Sequence, residues 1–385
     1  MNNALPEIFD SFADARKNGF LQMKGLKDQG KKVAGVFCTY TPVELFEAAD
    51  MVSVGLCSTS DETIPDAEAL LPRNLCPLIK SSYGFAITDK CPYMYFSDIV
   101  VGETTCDGKK KMYEYLGEIK DVHVMQLPQE QSTPTSKALW RDEIQRLRRN
   151  LEEKFGVEIS AEKLETAIKN RNEERKLLQA IYKSSLASPP PISGLEQLKI
   201  LYGTQFKFNF DEKIAELQNV LKRLETINKE KTSKVSPTAK RIIITGCPMG
   251  GVTEKVVDII EKNDAVVVAY ENCTGAKKIE AVVEENTDNP FDALADAYLN
   301  IGCSVMTPDE NRYALLKYLV KEFKADAVIE MNLQACHTYA IETQQIKRIC
   351  EEISTPFLSI ETDYSTSDIG QLSTRIGAFI EMLDQ

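Results

Sequence analysis

The stretch IVVGETTCDGKKKMYEYL, residues 99–116, predicts a strand, a short loop and a helix in direct succession. Ile99–Val101 is an apolar, β-branched run, and Met112–Leu116 is typical of a helix. Cys106 lies between them, at the carboxyl end of the predicted strand, which is where open α/β sheets bind their ligands. Helix-terminal N–H groups and the lysines at 109–111 would favour the thiolate form of Cys106.

Most other cysteines repeat this placement. Strands predicted over residues 32–39, 51–56, 242–248, 265–270 and 327–333 end close to Cys38, Cys57, Cys247, Cys273 and Cys336, respectively. Further strands are predicted over residues 97–102, 122–127 and 357–361. Because helical patterns separate these strands, the sequence predicts parallel sheets.

The predicted strands fall into two similar halves on either side of a helical region. Cys38 corresponds to Cys247, Cys57 to Cys273 and Cys106 to Cys336. We expect an α/β fold of two Rossmann-like parallel-sheet domains, residues 1–135 and 236–385, joined by a helical linker region over residues 136–235. A helix is also predicted over residues 1–30. A cleft between the two domains would be the place for a site.

Composition narrows the classes of partner. The formal net charge of −12 argues against nucleic acid and anionic membranes, which attract basic surfaces. No apolar run reaches the length of a membrane span, and residues 1–10 lack the pattern of a signal peptide, so a cytoplasmic protein is expected. In that compartment ten cysteines indicate metal ligation, catalytic thiols or buried residues rather than disulfides.

The spacing of the cysteines favours iron–sulfur ligation over the other choices. No Cys-x-x-Cys occurs, which argues against zinc and against a thioredoxin-like pair. A Cys336–His337 nucleophile is disfavoured because neighbouring loop residues usually point apart. Residues 246–251, GCPMGG, lack the Lys-Ser/Thr ending of a phosphate-binding loop. Iron–sulfur clusters accept widely spaced thiolates from several loops.

Several segments carry a resemblance to a known family. CTYTPVE at 38–44, CDGKKKM at 106–112, CTG at 273–275 and CHTY at 336–339 resemble the 2-hydroxyacyl-CoA dehydratase component superfamily, as does GQLSTR at 370–375. The resemblance implies two α/β domains that hold a [4Fe–4S] cluster between them through three cysteines. It also implies a separate ATP-hydrolysing iron–sulfur reductase as electron donor. The positions similar to that ligand set are Cys76, Cys106 and Cys336.

Additional loop cysteines make the chain most similar to the double-cubane cluster proteins within this superfamily. Those proteins are homodimers that hold an [8Fe–9S] cluster, two cubanes joined by one sulfide, through six cysteines. Cys76, Cys106 and Cys336 would be the first three ligands, and the second three would come from Cys38, Cys247, Cys273 and Cys303. Cys57 and Cys91 are interpreted as structural thiols, and Cys350 as a core residue.

The function expected first is a low-potential iron–sulfur reductase that acts on a small substrate in the cleft and receives electrons from the ATP-hydrolysing partner. His337 could donate a proton and Glu44 could relay one, although a helix-start residue and a helix-surface carboxylate are the simpler interpretations. The lysines at 109–111 could dock the partner, tune the cluster or be solvated. A dehydratase subunit with a single [4Fe–4S] cluster, performing radical dehydration, is the alternative. A non-catalytic cluster carrier is the third hypothesis.

Overall fold

The computed structural model describes residue 12 and residues 14–247, 251–273 and 275–384 of the 385-residue chain. The predicted helix over residues 1–30 lies partly outside this range, and its described part is the helix α1 (Ala15–Asp28). Residues 248–250, in the middle of the GCPMGG segment, also lie outside the described residues.

The described residues form eight strands in two sheets of four, all paired in parallel. The first sheet contains β1 (Lys32–Val36), β2 (Met51–Gly55), β3 (Ile99–Glu103) and β4 (Val122–Met125). The second contains β5 (Lys240–Gly246), β6 (Ala265–Tyr270), β7 (Ala327–Leu333) and β8 (Phe357–Thr362). The predicted α/β fold with two Rossmann-like parallel sheets is confirmed.

The two sheets have the same strand order. It is β2–β1–β3–β4 in one and β6–β5–β7–β8 in the other, so the first and third strands of each half are central. Cys38 and Cys247 therefore follow corresponding strands, as do Cys57 and Cys273, and Cys106 and Cys336. The similarity of the two halves, predicted from their strands and cysteines, is confirmed by the order of the strands.

The third strand of each half is buried along its whole length. Every residue of β3 and of β7 is buried, which is typical of a parallel sheet that has helices on both faces. Such strands are nearly continuous apolar runs in the sequence, and this is why their position could be predicted.

The three longest helices lie between the two sheets in the sequence. In the first half the helices are α1, α2 (Glu44–Ala48), α3 (Ile64–Ala67), α4 (Pro77–Ile87), α5 (Pro92–Phe96) and α6 (Asp107–Leu116). Between the sheets lie α7 (Pro134–Phe155), α8 (Ala161–Lys183), α9 (Gly194–Gly203) and α10 (Phe210–Glu230). The second half has α11 (Gly251–Glu261), α12 (Ala276–Ile279), α13 (Pro290–Leu299), α14 (Glu310–Glu322), α15 (His337–Glu352) and α16 (Ile369–Glu381).

The helix α8 contacts both halves of the chain. Its Asn170 side chain donates a hydrogen bond to Glu47 in the first half at 2.7 Å. Its Asn172 side chain donates to the carbonyl oxygen of Val283 in the second half at 2.7 Å. The region between the sheets thus braces them against each other, and the boundaries at 135/136 and 235/236 stay predictions.

Gly84 of α4 offers a test of this packing. A methyl group at Gly84 would lie 2.1 Å from the carbonyl oxygen of Thr63, whereas one at Gly25 of α1 would meet nothing within 4 Å. We expect Gly84→Ala to lower the free energy of unfolding by about 1–3 kcal/mol through overpacking. Gly25→Ala should raise it by about 0.5–1 kcal/mol through helix propensity. Urea denaturation measures both, and equal midpoints for the two variants would contradict the packing of α4 on the 58–63 loop.

Candidate metal centre

A cavity of about 640 Å³ is lined by loops that follow the strands of both sheets. Eight of the ten cysteines line it: Cys38, Cys57, Cys76, Cys106, Cys247, Cys273, Cys303 and Cys336. This agrees with the rule that open α/β sheets bind ligands at the carboxyl ends of their strands. All seven cysteines predicted as ligands are among them.

Three of these cysteines form a first thiol group, Cys76, Cys247 and Cys336. The side chains of Cys247 and Cys76 both interact with Cys336 and lower the pKa of its thiol well below the ordinary value. The pKa of Cys76 is raised by the same contact and by burial, and that of Cys247 by burial and by Cys336. The three thiols are therefore coupled, and contacts with the other thiols stabilise a thiolate in this group.

Backbone N–H groups face the sulfur atoms of the first thiol group. The Leu333 N–H donates to Cys247 Sγ at 3.3 Å. Cys76 and Cys336 directly precede the helices α4 and α15, and N–H groups of Ile79 and Tyr339 in the first turns of these helices lower the pKa of the two thiols. Ala335, just before Cys336, has a φ of 56°, a left-handed conformation that a non-glycine residue rarely adopts.

Cys38, Cys273 and Cys303 form a second thiol group. The charges of Cys273 and Cys303 both act on the Cys38 thiol, and that of Cys303 acts on Cys273. Burial raises the pKa of Cys38 and of Cys273, while Lys109 opposes the rise at both residues. Buried thiols whose charges act on one another need cations nearby if more than one is to ionise.

Lys277 and Tyr339 lie against the second thiol group. The Tyr339 hydroxyl is 3.4 Å from Cys303 Sγ and accepts a hydrogen bond from the Lys277 ammonium at 2.8 Å. Lys277 also forms an ion pair with Glu271 at 3.0 Å, and both side chains are almost fully buried. Burial acts to lower the pKa of Lys277, but Glu271 and Cys303 raise it overall, so the ammonium stays charged beside the thiols.

Cys57 and Cys106 lie beside Lys109, the cation that also acts on Cys38 and Cys273. The Lys109 ammonium donates to the carbonyl oxygen of Phe37 at 2.9 Å, and the Cys57 thiol donates to the same oxygen at 3.1 Å. Burial acts to lower the pKa of Lys109, but Tyr113, Cys57, Cys38 and Cys106 raise it overall. Cys106 accepts a hydrogen bond from the Lys109 N–H at 3.5 Å as the N-cap of α6. The structure therefore groups Cys76 and Cys336 with Cys247, and places Cys106 beside Lys109.

The remaining two cysteines do not line this cavity. Cys350 is fully buried in α15, which confirms its interpretation as a core residue. Cys91 caps α5 by accepting a hydrogen bond from the Met94 N–H at 3.5 Å.

The structure places the two predicted proton donors very differently. His337 is exposed as the first residue of α15 and lines the cavity beside Cys336. Glu44 is fully buried, pairs with Arg175 at 2.6 Å and accepts a hydrogen bond from the Tyr298 hydroxyl at 2.8 Å. The interpretation of Glu44 as a helix-surface carboxylate is wrong, because α2 packs that face against α8 and α13.

Two buried carboxyls near the second thiol group were missed by the sequence analysis. Burial raises the pKa of Glu103, at the end of β3, to about 7, against the effect of its hydrogen bond with Thr41 and of Lys109. Burial and the neighbouring Glu342 raise the pKa of Asp309 to about 8. Both groups can hold a proton near neutral pH. Tyr339, three residues after Cys336 at the start of α15, could have been found from helical spacing. Lys277 could not, because Cys273 precedes the short helix α12.

The donor set fits an iron–sulfur cluster better than a single ion. Within the described part of the chain, no group of three His, Cys, Asp or Glu side chains is arranged to hold one metal ion. A cluster makes a different demand, because each thiolate binds a separate iron and the sulfur atoms need not meet at one point. Soft thiolates with N–H donors beside them are the ligands that such clusters use.

Comparison with known proteins identifies the family. The family model described as 2-hydroxyglutaryl-CoA dehydratase, D-component, matches residues 38–383. The chain belongs to this family. The match covers the second sheet, three of the four strands of the first sheet and all eight cysteines of the cavity. It confirms the resemblance to the 2-hydroxyacyl-CoA dehydratase component superfamily.

Three relatives show the range of proteins to which this chain is similar. YjiM of Escherichia coli (strain K12), provisionally named a dehydratase subunit, is 54% identical over 98% of both chains. The (R)-phenyllactyl-CoA dehydratase beta subunit of Clostridium sporogenes is 26% identical over 98% of this chain and 99% of its own. A benzoyl-CoA reductase component of Thauera aromatica is 21% identical over 92% of each chain. Components of dehydratases and of reductases are thus both similar to this chain along nearly its whole length.

No helix among the described residues is long and apolar enough to cross a membrane.

The buried Glu44–Arg175 ion pair predicts that Glu44 stabilises the fold, whether or not it relays protons. We expect Glu44→Gln to lower the free energy of unfolding by about 3 kcal/mol, because it leaves the Arg175 charge buried without its partner. As control, Glu352→Gln removes an exposed ion pair with Lys317 of 2.9 Å and should change stability by less than about 1 kcal/mol. Urea denaturation measures both. A Glu44→Gln variant as stable as the unmodified protein would contradict the structural role.

Proposed function

We propose that this chain is the cluster-carrying component of a low-potential reductase, with an [8Fe–9S] double-cubane cluster in the cavity between the sheets. The observation that carries the proposal is that six of the eight cavity thiols form two groups of three. Three protein thiolates per cubane, with the bridging sulfide as the fourth ligand, is the set that the resemblance implies. The first thiol group would hold one cubane and the second thiol group the other.

This proposal changes one ligand of the sequence-based set. Cys247 takes the place of Cys106, because Cys247 contacts Cys336 while Cys106 lies beside Lys109. The second cubane would then be held by Cys38, Cys273 and Cys303, which uses all the remaining candidates. Cys57 and Cys106 would not be ligands and would contact Lys109.

The protein's own groups support such a cluster electrostatically. Lys109 and Lys277 place two buried ammonium groups beside the thiols, and these offset part of the thiolate charge. N–H groups of Leu333 and of the first turns of α4 and α15 face sulfur atoms of the first thiol group. Charge, hydrogen bonds and exposure are the properties through which a protein sets a cluster's potential. When bound, the cluster would supply electrons at low potential to a small substrate.

The exposed end of the first thiol group is the place where we expect electrons to enter. Cys336 is half-buried, and His337 beside it is exposed. A separate ATP-hydrolysing iron–sulfur reductase would dock there, and His337 would hold a proton or a hydrogen bond near the first thiol group. Near the second thiol group, Glu103 and Asp309 are the buried carboxyls from which protons could come. The functional unit would be a homodimer in the cytoplasm.

A second candidate is a subunit of a 2-hydroxyacyl-CoA dehydratase with one [4Fe–4S] cluster. The matching family model and the Clostridium sporogenes relative favour it, since both are named for dehydratases. It would use the ligand set Cys76, Cys106 and Cys336 and a different partner subunit. The two candidates therefore differ in iron content and in the role of Cys106.

Iron and acid-labile sulfide counts on protein purified without oxygen distinguish them. We expect about eight irons and nine sulfides per chain, against about four of each for the dehydratase candidate. Cys303→Ser should lower the iron content by about half or more, because it removes a ligand of the second cubane. Cys106→Ser and Cys91→Ser should keep the full content.

The outcome against the proposal is equally specific. Four irons in the unmodified protein, lost in Cys106→Ser and kept in Cys303→Ser, would favour the single-cluster dehydratase. Protein without iron would overturn both candidates, and also the hypothesis of a non-catalytic cluster carrier.

A further inference from the structure

The side of the cavity that faces α8 and α10 is lined by charged residues rather than thiols. These residues are Glu47, Arg171, Glu174, Arg175, Lys213 and Lys278. We call them, together with the buried Glu44 that pairs with Arg175, the charged wall. None of them has a role in holding the cluster proposed above.

The arginines and Lys213 of the charged wall are already paired. Arg171 contacts Glu47 at 2.7 Å and Glu174 at 3.0 Å. Lys213 contacts Glu174 at 2.6 Å. Arg175 contacts Glu44 at 2.6 Å. Because these side chains are largely buried and ion-paired, their charges are unavailable to a ligand.

Lys278 differs from these three cations. No carboxylate of the described residues lies within ion-pair distance of its ammonium, and no hydrogen-bond acceptor among them contacts it. Its neighbour Lys277 turns toward Glu271 and Tyr339 instead, since consecutive helix residues point about 100° apart. Burial, together with Lys213, Arg171 and Arg175, lowers the pKa of Lys278 to about 8 despite the attraction of Glu174.

The charged wall consequently has one positive charge more than its carboxylates balance. It contains four cations, Arg171, Arg175, Lys213 and Lys278, against the three carboxylates of Glu44, Glu47 and Glu174. An uncompensated charge in a half-buried position is costly unless a ligand of opposite charge joins it. One missing negative charge corresponds to one monovalent anion.

Apolar side chains also line this side of the cavity. Met51, Val54, Phe206, Phe208, Phe210 and Ile279 line it. A phosphate group carries close to two charges near neutral pH, so it would leave one unmatched against these walls. A carboxylate carries one charge and can be attached to an apolar body.

We infer that Lys278 binds the carboxylate of a monoanionic substrate whose short apolar body packs on Met51, Val54 and the phenylalanines at 206, 208 and 210. The inference rests on the proposed function in taking this cavity as the substrate site. Since cluster and substrate share about 640 Å³, the body is short. The carboxylate at Lys278 would orient the other end of the substrate toward the thiol groups.

Isothermal titration calorimetry without oxygen tests the inference on the cluster-loaded protein. Butyrate is the probe, butyramide its neutral counterpart, and inorganic phosphate the divalent comparison. We expect butyrate to bind about tenfold or more tightly than butyramide or phosphate. Butyramide has no charge to pair with Lys278, and phosphate has one negative charge more than Lys278 can balance. Lys278→Met should remove this preference, and Lys278→Arg should keep part of it.

Lys207→Met is the matched control. Lys207 also lines the cavity, but its ammonium pairs with Glu216 at 2.6 Å, so its loss should leave the butyrate preference unchanged. Equal binding of butyrate and butyramide, tighter binding of phosphate, or unchanged butyrate binding in Lys278→Met would each overturn the inference. Iron content is measured on the same samples. Full iron without a butyrate preference rejects the anion site alone, and absent iron rejects the proposed function.

Discussion

The burial of several thiols in one cavity is the constraint on which the rest of this structure depends. A thiolate loses hydration when buried, and neighbouring thiolates repel one another. Lys109 and Lys277 lie beside the sulfur atoms and offset part of this negative charge. N–H groups at the start of two helices also stabilise it. Lys277 in turn needs Glu271, and Glu271 also pairs with the fully buried Arg312 at 3.3 Å. A buried ionic network therefore extends from the second thiol group into the core of the second half.

Neither half of the chain could hold the thiol groups by itself. The first thiol group takes Cys76 from the first half and Cys247 and Cys336 from the second. The second thiol group takes Cys38 from the first half and Cys273 and Cys303 from the second. The helix α8 hydrogen-bonds to both halves, and the Tyr364 hydroxyl of the second half donates to the carbonyl oxygen of Ser58 in the first at 2.9 Å. The geometry of any ligand held by these thiols depends on how the two sheets are braced.

Local patterns were enough to predict the strands and most cysteine positions. The strand Ala265–Tyr270 was predicted with its observed bounds, because an apolar β-branched run between polar turns has a single interpretation. The cysteines at strand ends and helix starts followed from the same reasoning. Their grouping in space did not, because sequence spacing carries no information on how one sheet faces the other. Cys247 therefore contacts Cys336 where the resemblance pointed to Cys106. Glu44 was misinterpreted for a similar reason, since its partner Tyr298 is 254 residues away.

Diffraction at the iron absorption edge from crystals grown without oxygen tests the central claim most directly. We predict two adjacent groups of about four irons. One should lie against the sulfur atoms of Cys76, Cys247 and Cys336, and the other against those of Cys38, Cys273 and Cys303. A single group of four irons bound by Cys76, Cys106 and Cys336, or iron bound outside this cavity, would contradict this account.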